Sequence, residues 1–208
     1  MTKSNKDVVI TSAVRTPIGS YKGALKNIKV HELGSACISQ SLKKSKLNSE
    51  EIDEVIIGQV LTAGEGQNPA RQAAINAGIP NSKPAHIINQ VCGSGLRSII
   101  SGYQNIKLGD SNIIISGGQE NMSRSPHTIY FRLEKKLEKH RLVDSMINDG
   151  LIDAFNNYHM GITAENVAQK FGISREEQDK FAFESQRKTV AAQKNKVFDE
   201  EIIEVDLK

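Results

Sequence analysis

His86-Ile87-Ile88-Asn89-Gln90-Val91-Cys92-Gly93-Ser94-Gly95-Leu96 is the stretch from which the fold is read. Residues 86–89 open it as a short apolar, strand-like run, and Gly93 and Gly95 punctuate its second half. Downstream, Leu96, Ile99, Ile100, Tyr103 and Ile106 recur at helical spacing, which predicts a buried helix beginning near Gly93. Cys92 therefore falls at or just before a helix N-terminus. Unpaired N–H groups there favour the thiolate, the form of cysteine that attacks. Gly93 and Gly95 let the backbone turn sharply and let a substrate approach closely. From these residues alone two readings stand side by side: a nucleophile, and a buried structural cysteine beside a glycine-rich turn.

Working outward, further strand candidates lie at residues 8–11, 55–58 and 112–116. Between the first two, Val30, Leu33, Cys37 and Ser41 line one helical face, with Ile38 and Leu42 beside it. In residues 47–52 Asn48 is placed to cap a short helix, Glu51 to reach back to it, and Leu47 to staple onto Ile52. Pro69 suits the first turn of another helix, which Gly78 and Pro80 close. Alternation of this kind predicts an α/β domain, helices packed on a mixed, largely parallel sheet.

From about Asn121 the texture changes. Residues 123–144 mix Arg, Lys, Glu and scattered apolar side chains without strand alternation. Residues 163–171 and 174–194 read as helices, the second opened by Ser174 with Glu177 in capping-box spacing. Residues 200–208, EEIIEVDLK, alternate like a strand. The expected organisation is an incomplete α/β domain over residues 1–120 and a helical, loop-rich insertion over residues 121–208.

Bulk composition narrows the function class. The net charge is +3 with 25% charged residues, and no basic-aromatic module appears, which argues against nucleic-acid binding. The longest apolar runs, such as residues 112–116, are far too short to span a bilayer. Cys37 and Cys92 form neither a metal-ligand spacing nor a disulfide pattern. No signal or leader segment is read at the start, so the cytoplasm is the expected compartment. Cys37, on an apolar helical stripe, reads as core. His31, His86 and His127 read as structural or surface residues.

Four stretches then resemble the thiolase family, in order: VVITSAVRTPIGSYKGAL (residues 8–25), NQVCGSGLRSI (89–99), SGGQENMS (116–123) and YHMGITAENVA (158–168). The intermediate GEGQNPARQAAINAGIP (64–80) is similar too. The resemblance implies a thiolase-like N-terminal domain carrying a loop-domain insertion, with the family's second domain absent. It implies that Cys92 takes an acyl group as a thioester while its own backbone N–H helps hold the thioester oxygen. Acyl transfer from acyl-CoA to cysteine is followed by carbon–carbon bond formation with a second acetyl-CoA, or by the reverse cleavage. His159 and Met160 map onto a loop pair packing against the pantetheine and acyl pocket, and Leu151 flanks the same tunnel. The Tyr-His-Met-Gly run looks like the short-chain branch that forms acetoacetyl-CoA from acetyl-CoA. No cofactor is implied, coenzyme A being part of the substrate. The segment from Arg132 to Arg141 corresponds to one that helps assemble subunits, so a homodimer or homotetramer is implied for the complete protein.

The family also needs a histidine followed by proline, a second cysteine followed by x-Gly-Gly, and an Asn-Glu-Ala motif. None of the five histidines here precedes a proline, and neither cysteine has that context. The chain is therefore expected to be one part of a thiolase, partnered by a C-terminal half. The second reading is a non-catalytic fragment that binds acyl-CoA or pairs with another chain. Ketosynthases share the fold and the cysteine but lack the insertion, and rank third.

Overall fold

The computed structural model describes residues 7–132 and 141–207. Strands β1 (Glu54–Gly58), β2 (Ala85–Ile88) and β3 (Ile114–Gly118) form a parallel sheet in the order β2-β1-β3. Val55 lies opposite Ala85 on one side and Ile115 on the other; Gly58 lies opposite Ile88 and Gly118. Helices α1 (Val30–Ser45) and α2 (Pro69–Asn76) pack over one face, and α3 (Ser94–Leu108) over the other. The α/β class read from the sequence is the one found.

Pleating explains the two layers. Val55 and Ile57 point into a cluster with Ile38 and Leu42 of α1 and Ala70, Ala73 and Ala74 of α2. Ile56 and Gly58 point the other way, toward α3. As the middle strand of a parallel sheet, β1 is apolar after Glu54 because both its faces are covered. Within α1 the deepest side chains are Val30 and Ile38, while Cys37 and Ser41 are only half-buried. Cys37 is thus at the rim of the core rather than in it. The capping expectations hold: the Glu51 carboxylate accepts the Asn48 N–H at 2.7 Å, and Leu47 and Ile52 join the same cluster. Asn68 caps α2 ahead of Pro69, its side chain accepting the Arg71 N–H at 3.2 Å.

Helix α3 starts where predicted but is turned over. Its buried face is Ser94, Ser98 and Gly102, one small residue per turn. The apolar stripe faces outward, with Leu96 66% and Tyr103 50% exposed. The reason is clearance. A Cβ on Gly102 would lie 2.6 Å from Ser116 Oγ, and Ser98 Oγ sits 2.7 Å from both the Gly95 and Gly117 carbonyl oxygens. Only small side chains fit a helix held this close to a sheet, so Ile and Leu are excluded from that face.

The strand expected at residues 8–11 does not form: the backbone has no ladder, and Val9 and Ile10 are 72% and 78% exposed. A groove of about 490 Å³ separates residues 8–14 from β3, with Leu42 and Ile52 on one side and Ile99 and Tyr103 on the other. The segment therefore lies too far from the sheet edge to pair with it. Residues 200–207 likewise make a single bridge, Arg15 to Ile202, instead of a strand, joined by an ion pair from Arg15 Nε to Glu201 Oε1 at 2.7 Å.

Beyond β3, two-residue strands β4 (His127–Thr128) and β5 (Val143–Asp144) pair antiparallel, a pairing that the absence of alternation did not signal. Helices α4 (Ser145–Gly150), α5 (Met160–Phe171) and α6 (Arg175–Lys194) follow. Ser174 caps α6 by accepting the Glu177 N–H at 3.1 Å, and Glu177 returns the bond to the Ser174 N–H at 2.8 Å. Residues 133–140 of the charged arm lie outside the described residues. No described helix is long and apolar enough to cross a membrane.

Candidate active site

Cys92 is exposed at the head of α3, one residue before the Gly93 N-cap. The turn that presents it is held at nearly every backbone polar group. Gln90 N–H donates to Ser94 Oγ at 2.9 Å, and Val91 N–H to Asn89 Oδ1 at 2.9 Å. The Ser94 hydroxyl donates to the Val91 carbonyl at 2.6 Å, and the Gln90 carbonyl accepts from Gly93 N–H at 3.1 Å. Among the described residues the Cys92 N–H has no partner. It is a free donor on the same residue as the thiol, whereas the Gly93 and Ser94 N–H groups that follow are taken by the Gln90 and Val91 carbonyls.

Val91 carries the conformational cost of this turn. Its φ is +49°, and of the described non-glycine residues with positive φ it alone is β-branched. Such a residue costs about 1–3 kcal/mol and persists only where its surroundings over-determine it. Three glycines let α3 come down onto the strand ends: a Cβ on Gly58 would lie 2.3 Å from the Ser94 carbonyl carbon, and Gly95 packs against Gly118.

The loop after β1 is clamped to the end of β3. Glu120 accepts the Val60 N–H at 2.8 Å and the Leu61 N–H at 3.3 Å. Burial of its carboxyl end against that loop pushes its pKa up, and the two N–H bonds pull the other way. Asn121 Nδ2 donates to the Leu25 and Ile28 carbonyls at 3.0 and 2.7 Å. Residues 116–123 are thus a brace that holds the 25–28 and 60–61 loops at the carboxyl end of the sheet.

Leu151, His159 and Met160 are brought together. Met160 N–H donates to the Leu151 carbonyl at 2.8 Å, Ile152 and His159 form an antiparallel bridge, and His159 Nδ1 caps α5 by accepting the Gly161 N–H at 3.0 Å. No hydrogen bond or ion pair among the described residues joins them to Cys92. The Val60–Leu61 segment lies between: Asn89 Nδ2 donates to the Val60 carbonyl at 3.4 Å, and Leu61 is 3.7 Å from the Cβ position of Gly150. His86 pairs with Glu54 at 3.1 Å, His127 lies 3.9 Å from Asp144, and His31 meets Asn76 at 3.1 Å, all structural contacts. Cys37 is half-buried, and burial pushes its thiol pKa up against a weaker opposing backbone hydrogen bond from Thr16. No cluster of His, Cys, Asp or Glu able to hold a metal occurs among the described residues.

Sequence reading did not single out Ser94, Asn89 or Glu120. The signal was present for Glu120, a carboxylate two residues after a strand ending in two glycines. For Ser94 it was not, since a serine in a glycine-rich turn has no distinguishing spacing.

Residues 8–208 match the family described as thiolase, N-terminal domain. The chain belongs to the thiolase family. Among curated thiolase relatives, an acetyl-CoA acetyltransferase of Rhizobium meliloti (strain 1021) is 54% identical over 200 residues, 96% of this chain and 51% of that protein. A probable acetyl-CoA acyltransferase of Staphylococcus aureus (strain COL) is 53% identical over 201 residues, with the same coverage of each chain. This thiolase chain spans about half the length of the relatives it matches.

Proposed function

We propose that the chain is the amino-terminal part of an acetyl-CoA C-acetyltransferase, and that Cys92 is its acyl acceptor. The observation that carries this is an exposed Cys92 whose unpartnered N–H stands beside the thiol at a helix start, in a chain of the thiolase family. In the first step the Cys92 thiolate attacks the carbonyl carbon of acetyl-CoA. A bond from sulfur to that carbon forms, the CoA thiolate leaves, and it takes up a proton. The Cys92 N–H donates to the oxyanion that develops meanwhile. In the second step a second acetyl-CoA loses a methyl proton, its carbon attacks the Cys92 thioester, and the cysteine thiolate leaves. The products are acetoacetyl-CoA and CoA; thiolysis is the reverse. Leu151, His159 and Met160 are proposed to hold the pantetheine arm.

The base for the second step is proposed to come from a C-terminal half, as the relatives' greater length suggests. Losing a general base costs about 10²–10⁴ in rate. Each lost oxyanion donor costs on the order of 10²–10³. The 208-residue chain is therefore expected to show no measurable acetoacetyl-CoA turnover alone, and to regain it when co-expressed with the C-terminal half of the R. meliloti relative. Turnover by the purified chain alone, lost in Cys92→Ala, would overturn this account of what the site requires. A non-catalytic chain that binds acyl-CoA or pairs with a partner is the second reading, favoured by the absence of a His-Pro or Cys-x-Gly-Gly context. Failure of every complemented pairing, with acyl-CoA still bound, would support it. We place the complete protein in the cytoplasm as a homodimer or homotetramer.

A further inference from the structure

We infer that Ser94 is a positioning residue for Cys92, acting by holding Val91 in its left-handed conformation. The inference rests on the reading of Cys92 as the acyl acceptor. Ser94 is 3% exposed, and its single hydroxyl ties both sides of the turn, accepting from Gln90 N–H at 2.9 Å and donating to the Val91 carbonyl at 2.6 Å. The residue so enclosed is the one whose backbone is unfavourable for its side chain, Val91 at φ +49°. Without a restraint, a β-branched residue leaves the left-handed region, and the following Cα–Cβ bond swings with it. The direction of Cys92 is therefore set by the hydroxyl two residues after it. Asn89 assists from the other side by accepting the Val91 N–H at 2.9 Å. The rest of Ser94 has no freedom to shift, because its carbonyl carbon lies against Gly58.

The test separates orientation from mere folding. Glycine adopts positive φ without penalty, so at position 91 it needs no restraint. Val91 is 45% exposed, and its side chain is not part of the core. Rates of iodoacetamide alkylation at Cys92 and Cys37 are measured by peptide mapping in the 208-residue chain. Ser94→Ala is expected to slow Cys92 about fivefold, the loss typical of one capping-type hydroxyl, with Cys37 unchanged. Adding Val91→Gly in the same chain is expected to restore the Cys92 rate to within about twofold of wild type, a non-additivity that only coupled residues show. An unchanged Cys92 rate in Ser94→Ala, or no rescue by Val91→Gly, would overturn the inference. If Ser94→Ala also unmasks Cys37, the fold has opened, and Asn89→Ala, at an exposed position, decides instead. That variant is expected to slow Cys92 with the same rescue, and unchanged rates there overturn the proposal. Alkylation requires no acyl-CoA. If Cys92 never accepts an acetyl group from acetyl-CoA, the functional reading fails on its own, whatever the alkylation series shows.

Discussion

The Gly58 Cα on the central strand stands directly over the Ser94 carbonyl carbon, with 2.3 Å left to the position a β-carbon would take. The atoms opposed there are backbone on both sides, so neither a rotamer change nor a flexible tip can relieve a clash. Gly58→Ala is expected to destabilise the protein by about 2–3 kcal/mol and to lift α3 off the sheet. Urea unfolding monitored by circular dichroism measures the first effect. A loss below about 0.5 kcal/mol would show that the helix has room to move.

Asp53 links the starts of β1 and β3, accepting the Asn112 N–H at 2.7 Å and the Ile113 N–H at 3.1 Å. The Asn112 backbone bond, opposed by desolvation and helped by the Ile113 N–H and Lys83, holds its carboxyl below the usual range. Folding therefore favours the ionised form. The stabilisation is complete above the unfolded carboxyl pKa near 3.9 and is lost as pH falls through the lower folded value. Asp53→Asn is expected to cost about 1–2 kcal/mol at pH 7, and the gap between variant and wild type should narrow on acidification below that range. A gap that stays constant with pH would mean the charge is not what stabilises.

Local signals and long-range geometry were legible to different degrees. Asn48 with Glu51, Pro69, and Ser174 with Glu177 announce their helices because such signals act within one turn of chain. The strands of the parallel sheet were legible for a similar reason, since β1 is apolar at every central position and needs no partner to be recognised. What could not be read was the orientation of α3. Its hydrophobic period is real, yet the face buried is Ser94, Ser98 and Gly102, selected by closeness to β3, a distance no local pattern encodes. The same limit applies to residues 8–11 and 200–208. Alternation gives a segment the capacity to pair, but pairing needs an edge within hydrogen-bonding reach. At the site, Cys92 and the turn were legible from glycines and the helix period. The strain at Val91 was not, because valine is the last residue type that spacing would place at positive φ.

Cys92 and Cys37 should separate cleanly in reactivity. Cys92 is exposed at a helix start, whereas Cys37 is half-buried with its thiol pKa raised by burial. A limiting dose of iodoacetamide at pH 7 is expected to label Cys92 at least about tenfold faster, read by mass spectrometry of the two peptides. Equal labelling of both in a folded sample would remove the special environment claimed for Cys92.

The most direct measurement of Cys92 as acyl acceptor is the location of the acetyl group. The chain, co-expressed with the C-terminal half of the R. meliloti relative, is mixed with acetyl-CoA, quenched in acid within the first turnover and mapped by mass spectrometry. One acetyl group is expected on the peptide carrying Cys92, removed by neutral hydroxylamine as a thioester is, and absent from Cys92→Ala along with acetoacetyl-CoA thiolysis. An acetyl group found on Cys37 or on any other residue instead, or thiolysis that persists in Cys92→Ala, would contradict it.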